Sequence, residues 1–237
     1  MPWNVNLSED PNLWVRRPLY DCVIMVVVTG LTNFAMAPCI RLLHRRGQHW
    51  EAFCGGFTCA TSFMYHICDS LHSPLWLSEG AWHRLDNIGS ITCFGVWAIY
   101  LSGVQSAAAW SYANFLYLAL VIILQEKAPW DERFTFGPIV LSFVCAALKV
   151  AFFGAPKYNS AMARRGAALL ICAFMCFARG LDDRTDTYRF FHGCWHLFIG
   201  AASYYNWQIV DSVPATPRLP LTRASLKMAQ KKGSTAD

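Results

Sequence analysis

Long apolar runs of roughly 17 to 20 residues, each separated from the next by a short polar break, constrain this chain more than any single residue does. In a bilayer every backbone N–H and C=O must find its partner within the chain, so runs of this length read as spanning helices. They place helices near residues 20–38, 52–69, 87–102, 107–124, 138–153, 166–178 and 190–210. The sixth is the shortest uninterrupted run and is followed by Arg179. With 55% hydrophobic and only 15% charged residues, the composition excludes an ordinary soluble domain. The expected fold is all-α, a seven-transmembrane helix bundle. A short outer segment (1–19) would precede the membrane domain (20–210), and a basic tail (211–237) would follow it.

The Lys and Arg residues set an orientation. Counting alternate loops with their adjoining helix ends divides the twenty basic residues twelve against eight, the larger group led by Arg41, Arg45, Arg46, Arg164, Arg165 and the tail from Arg218 to Lys232. The N-terminus is therefore expected outside and the C-terminus in the cytosol. The sequon Asn6-Leu7-Ser8 agrees with that assignment. The first apolar run is long enough to act as its own signal, and no cleavable signal peptide is expected.

Against this topology three histidines and two partners fall where membrane-depth chemistry would need them. Ser62 and His66 are four residues apart on one helix, as are His192 and His196 on another, so each pair shares a helix face. Asp86 stands at the predicted start of the third helix. The topology brings all five groups to one level, near the outer leaflet. Ionisable groups at membrane depth are costly and default to a functional reading. Three neutral imidazoles with an open fourth position describe a catalytic rather than a structural zinc site. Asp86 would accept a hydrogen bond from water as general base, and Ser62 would donate to a developing oxyanion. The plainer readings are a His pair acting as an interhelical hydrogen-bonding element, Ser62 as a packing residue, and Asp86 as a helix cap or an interfacial group.

As a set, Ser62-x-x-x-His66, Asp86 and His192-x-x-x-His196 resemble the CREST superfamily of seven-helix membrane proteins. The segments from Met64 to Asp69, Leu85 to Ser90 and Phe191 to His196 are most similar to the branch containing myomaker and the post-GPI-attachment phospholipase (transmembrane protein 8). The resemblance implies a zinc-dependent hydrolase of lipid ester or amide acyl bonds, with His66, His192 and His196 as ligands, Asp86 positioning water and Ser62 assisting. Its partners would be membrane lipids: phospholipid, GPI-type lipid or ceramide. The competing class is a non-enzymatic fusion factor or receptor with a structural zinc. A transporter lacks support, because no helix carries the paired Gly/Pro interruptions of a broken-helix site.

Several lesser features carry expectations of their own. Eight of the ten cysteines fall in or at the ends of apolar helices and read as small core residues, while Cys68 and Cys194 lie nearer the outer face, where a disulfide is conceivable. His72 and His83 are placed in the loop beside the site, and Asp69 and Arg84 are candidates to bridge across it. Trp3, Trp14, Trp76, Trp82 and Trp130 suit an aromatic belt, and Lys149 can snorkel to a helix end. The basic stretch from Arg223 to Lys232 suits anionic headgroups, whereas nucleic acid has neither supporting aromatics nor a suitable domain.

Overall fold

A computed structural model of the chain describes residues 18–129, 131–182 and 185–211. Of these described residues 82% are helical and none lies in a strand. Seven helical rods follow one another among the described residues: α1 (Leu19–Arg45), α2 (His49–Leu71), α3 (Glu79–Ser102), α4 (Ala107–Lys127), α5 (Glu132–Phe153), α6 (Ser160–Arg179) and α7 (Phe190–Asn206). Four of them, α1, α4, α5 and α6, are long and apolar enough to cross a membrane, which makes this a membrane protein. The sequon, the basic tail and Trp3, Trp14 and Trp130 lie outside the described residues.

Hydropathy separates the rods into two kinds. The most apolar windows of α4, α5 and α6 are only 17%, 11% and 11% buried, so their apolar side chains face outward. Cys145 on α5 and Cys172 on α6 are accordingly exposed rather than core residues. By contrast α2, α3 and α7 bury polar groups, among them Thr58, Ser62, His66, Thr92, His196 and Asn206. All ten cysteines carry free thiols, so Cys68 and Cys194 do not pair.

Most differences from the expected helix limits have a local cause. The rod α3 begins at Glu79, eight residues before its apolar run, because the Ser78 hydroxyl accepts the Ala81 N–H at 3.2 Å and caps it. Asp86 therefore lies about two turns inside α3 and is not a cap. The rod α5 likewise starts before Pro138. The carbonyl that Pro138 cannot engage, that of Phe134, accepts the Gln125 side-chain amide of α4 at 3.1 Å, and the helix continues. In α6 the Asn159 carboxamide accepts from Ala161 and Met162, which brings Arg164 and Arg165 into the helix. Pro38 also fails to end α1. That rod changes winding along its length, with a π segment at Val26–Gly30 and a 3-10 segment at Leu31–Met36, before an α-helical stretch that Pro38 opens near its first position.

The rods enclose a cavity of about 700 Å3 walled by α1, α2, α3, α5, α6 and α7, with α4 packed outside on α3 and α5. α5 and α6 both line the cavity without packing on one another, so that wall is the loosest. The far end is closed by bonds among the ends of four elements. Arg46 donates to the Trp207 carbonyl at 2.8 Å, Val210 N–H to the Tyr100 hydroxyl at 2.9 Å, and Asn159 N–H to the Ile209 carbonyl at 2.7 Å. Lys149 reaches its own helix end, where Nζ donates to the Gly154 carbonyl at 3.5 Å.

α7 lies tightly on α1 through two glycines. A methyl group at Gly193 would fall on the Val28 carbonyl, and one at Gly200 would come within 2.6 Å of the Ala35 backbone. Gly193→Ala and Gly200→Ala should each destabilise the bundle by about 1–3 kcal/mol, read as a lower Tm in detergent. Gly137→Ala meets nothing within 4 Å and should leave Tm unchanged or slightly raised.

Candidate metal centre

His66 projects from the last third of α2, while His192 and His196 project from the first two turns of α7. The i, i+4 spacing puts the latter two on one face of α7, with ring centroids 4.8 Å apart. His66 completes a triangle, its ring 4.8 Å from His192 and 4.9 Å from His196. One ligand nitrogen from each lies within 4.8 Å of the others, so the buried group can hold a metal ion. Two nitrogens of a tetrahedral zinc site, each about 2.0–2.1 Å from the metal, stand ~3.3 Å apart. His66 Nε2 and His192 Nε2 are separated by 3.2 Å.

Neighbouring groups set the orientation of one ligand. His196 Nδ1 donates to the Thr29 carbonyl at 2.9 Å, which assigns the proton to Nδ1 and leaves Nε2 with its lone pair free for a metal. That carbonyl belongs to the π segment of α1, where widened winding lets it turn away from the helix ladder. The Thr32 hydroxyl stands 3.1 Å from the same nitrogen and donates a hydrogen bond to the Val28 carbonyl at 2.7 Å. His66 Nδ1 has no hydrogen-bond partner among the described residues.

The remaining two candidates form a second cluster on the cavity wall. Asp86 lies one turn before Ser90, whose hydroxyl donates to Asp86 Oδ1 at 3.4 Å, and Ser62 of α2 lines the same cavity. Ser62, Asp86, His192 and His196 all line the cavity, while His66, 1% exposed, sits behind it. Four of the five expected groups thus face one cavity with His66 behind its wall, and His83 lines the same cavity. It is a residue of α3, not of a loop, and its ring stacks on Tyr65 at 4.3 Å.

What holds α7 in register was not apparent from the motif. Asp186 is 2% exposed and accepts the backbone N–H of Phe191 at 2.9 Å and of His192 at 3.1 Å, capping α7 and pinning the first α7 histidine. Tyr188 and Arg189 then take two consecutive left-handed conformations, both at φ 55°. These are unfavourable for side chains of that size and persist only where the surroundings determine them. Here Arg189 pairs with Asp69 of α2, and the Tyr188 hydroxyl meets that of Tyr20 on α1 at 2.7 Å. Asp69 is therefore not the partner of Arg84, which instead reaches Glu126 at 2.8 Å. An acidic residue a few positions before an apolar run is a capping signal that sequence alone offered for Asp186, but nothing in it announced the pairing across 120 residues between Asp69 and Arg189.

The two ion pairs differ in exposure, and so should their removal. Side-chain exposure is 14% and 19% for Arg189 and Asp69, against 37% and 58% for Arg84 and Glu126. Asp69→Asn should cost about 2 kcal/mol, less than a fully buried pair loses, and should weaken metal binding by about tenfold or more as α7 loosens. Arg84→Gln should cost under about 1 kcal/mol. Thermal unfolding and metal titration of the two variants check both statements.

A search of curated proteins finds no match to this chain. A family model, by contrast, matches residues 21–197, a stretch that begins in α1 and includes Ser62, His66, Asp86, His192 and His196. The chain belongs to the family described as Protein of unknown function (DUF3522).

Proposed function

We propose that this protein is a zinc-dependent lipid hydrolase of the CREST type, spanning the membrane seven times with its N-terminus outside, and cleaving ester or amide acyl bonds near the outer or lumenal leaflet. The observation that carries the reading is a three-histidine group against a largely apolar cavity whose wall also carries the Asp86 carboxyl, inside a membrane protein. His66, His192 and His196 would hold the zinc. When bound, the metal supplies Lewis acidity toward an acyl carbonyl and acidifies water to a pKa of about 7.

The chain's own groups supply the rest. Asp86 takes a proton from the attacking water and returns it to the leaving oxygen or nitrogen. Ser90 holds its carboxyl in place, and Ser62, on the cavity wall, is the hydroxyl available to an acyl oxygen. The acyl chain lies along the apolar walls, shielded from water, and enters from the bilayer beside the loosest wall, between α5 and α6. Phospholipid, GPI-type lipid and ceramide all present such a chain.

A second reading is a non-enzymatic protein of the same architecture, in which the metal ties α2 to α7. The enclosure of His66 behind the cavity wall favours it. The two readings part at Asp86. Purified in detergent, the wild type should carry about one zinc per chain by elemental analysis, and His192→Ala with His196→Ala should carry none. Under the hydrolase reading Asp86→Asn keeps its zinc and loses roughly 10²–10⁴-fold of acyl release from phospholipid or ceramide. A wild type that holds zinc, releases no acyl chain from any of these lipids and melts earlier when stripped of metal belongs to the second reading.

A further inference from the structure

The cavity has a second polar end. Glu51, in the first turn of α2, lines it, is 3% exposed, and has no hydrogen-bond partner at Oε2. Trp97 of α3 lines it too, and its indole N–H is buried without an acceptor. Gln48, behind the cavity wall, precedes Glu51 by three residues, is equally buried, and bonds through neither side-chain amide atom. Native interiors seldom leave such groups unsatisfied, and three in one region call for a reason. Bulk water is not that reason, since the surrounding side chains include Cys39, Leu43, Cys54, Val96 and Trp207. The bonds from Arg46 to Trp207 and from Val210 to Tyr100 close this end of the bundle.

Distance separates this end from the histidines. Glu51 precedes Ser62 by eleven residues and Tyr65 by fourteen on one continuous helix, which at 1.5 Å per residue is roughly 16–21 Å. An extended chain advances ~1.2 Å per bond, so about 13–17 bonds join the two ends. Between them the walls are apolar, built from residues such as Met36, Ile40, Ile91, Phe94 and Ile199.

We propose that Glu51 and Trp97, backed by Gln48, form a second binding site, which receives a hydroxyl at the far end of a long-chain acyl ligand whose carbonyl end lies at the histidines. The inference rests on the lipid reading above. A cation would suit Glu51 but would face the donors of Trp97 and Gln48, whereas a hydroxyl gives one hydrogen bond and accepts another. A methyl terminus would leave the whole set unpaired, the situation in which a polar site rejects an analogue that lacks the matching group.

The test is equilibrium binding of radiolabelled hexadecanoic acid and 16-hydroxyhexadecanoic acid to the full-length, zinc-loaded protein in detergent, for wild type, Glu51→Leu and Glu51→Gln. Each sample is its own control, because the readout is the ratio of two affinities on one preparation, and its zinc content reports that the bundle is intact. The wild type should prefer the hydroxy acid by about tenfold or more. Glu51→Leu should abolish or reverse that preference, and Glu51→Gln, which still donates and accepts, should retain it. If both acids bind with the same ratio to wild type and Glu51→Leu, the second site is refuted while the lipid reading stands. If zinc-loaded wild type binds neither acid, the lipid reading fails and this site fails with it.

Discussion

The place of α7 against α2 depends on the turn that precedes it, and the histidine cluster depends on that place. Asp186 closes the exposed N–H groups at the start of α7, and Arg189 reaches Asp69 on α2. The turn between them accepts two left-handed residues in succession, a conformation that the capping and the ion pair together must outweigh. The same ion pair joins the helix of His66 to the helix of His192 and His196 close to the rings themselves. Losing it would leave the histidines on their helices but free the helices to drift, and a site that must hold its nitrogens near 3.3 Å apart tolerates little drift.

A second constraint shapes the bundle around that joint. A rod facing lipid must be apolar along its surface, and a rod facing the cavity can carry hydroxyls, amides and imidazoles if they find partners. The outward-facing α4, α5 and α6 satisfy the first condition, and α2, α3 and α7 the second. Packing follows the same division. Gly193 and Gly200 draw α7 against α1 so closely that the Thr29 carbonyl meets His196, whereas α5 and α6 stand apart and leave the cavity its loosest wall. The Gln125 amide that satisfies the carbonyl freed by Pro138 answers the same requirement at the periphery.

Apolar runs located all seven rods, because burial in lipid or in the core imposes hydrophobicity over a whole helix. They located the ends poorly, since capping overrides hydropathy. Ser78 and Asn159 start α3 and α6 well before their apolar runs. That error carried over to Asp86, placed at the start of the third helix when it lies about two turns inside α3, and to His83, placed in a loop when it belongs to α3 and stacks on Tyr65. The expected Asp69–Arg84 bridge joined Asp69 to the arginine nearest it in sequence. The actual partner of Asp69 is 120 residues away, and neither composition nor spacing reports it.

By itself the sequence determined that this is a helical membrane protein with two pairs of site residues at i, i+4 spacing, because helix periodicity and hydrophobic length are properties of the local chain. Only the tertiary structure decided that His66 meets His192 and His196, that Asp86 faces the same cavity, and that Glu51 waits at the other end of it. The reason is physical. Convergence of groups from different helices is settled by crossing distance, by the hand of a turn and by which buried polar atoms find partners, and each of these is a relation between segments that no single segment encodes.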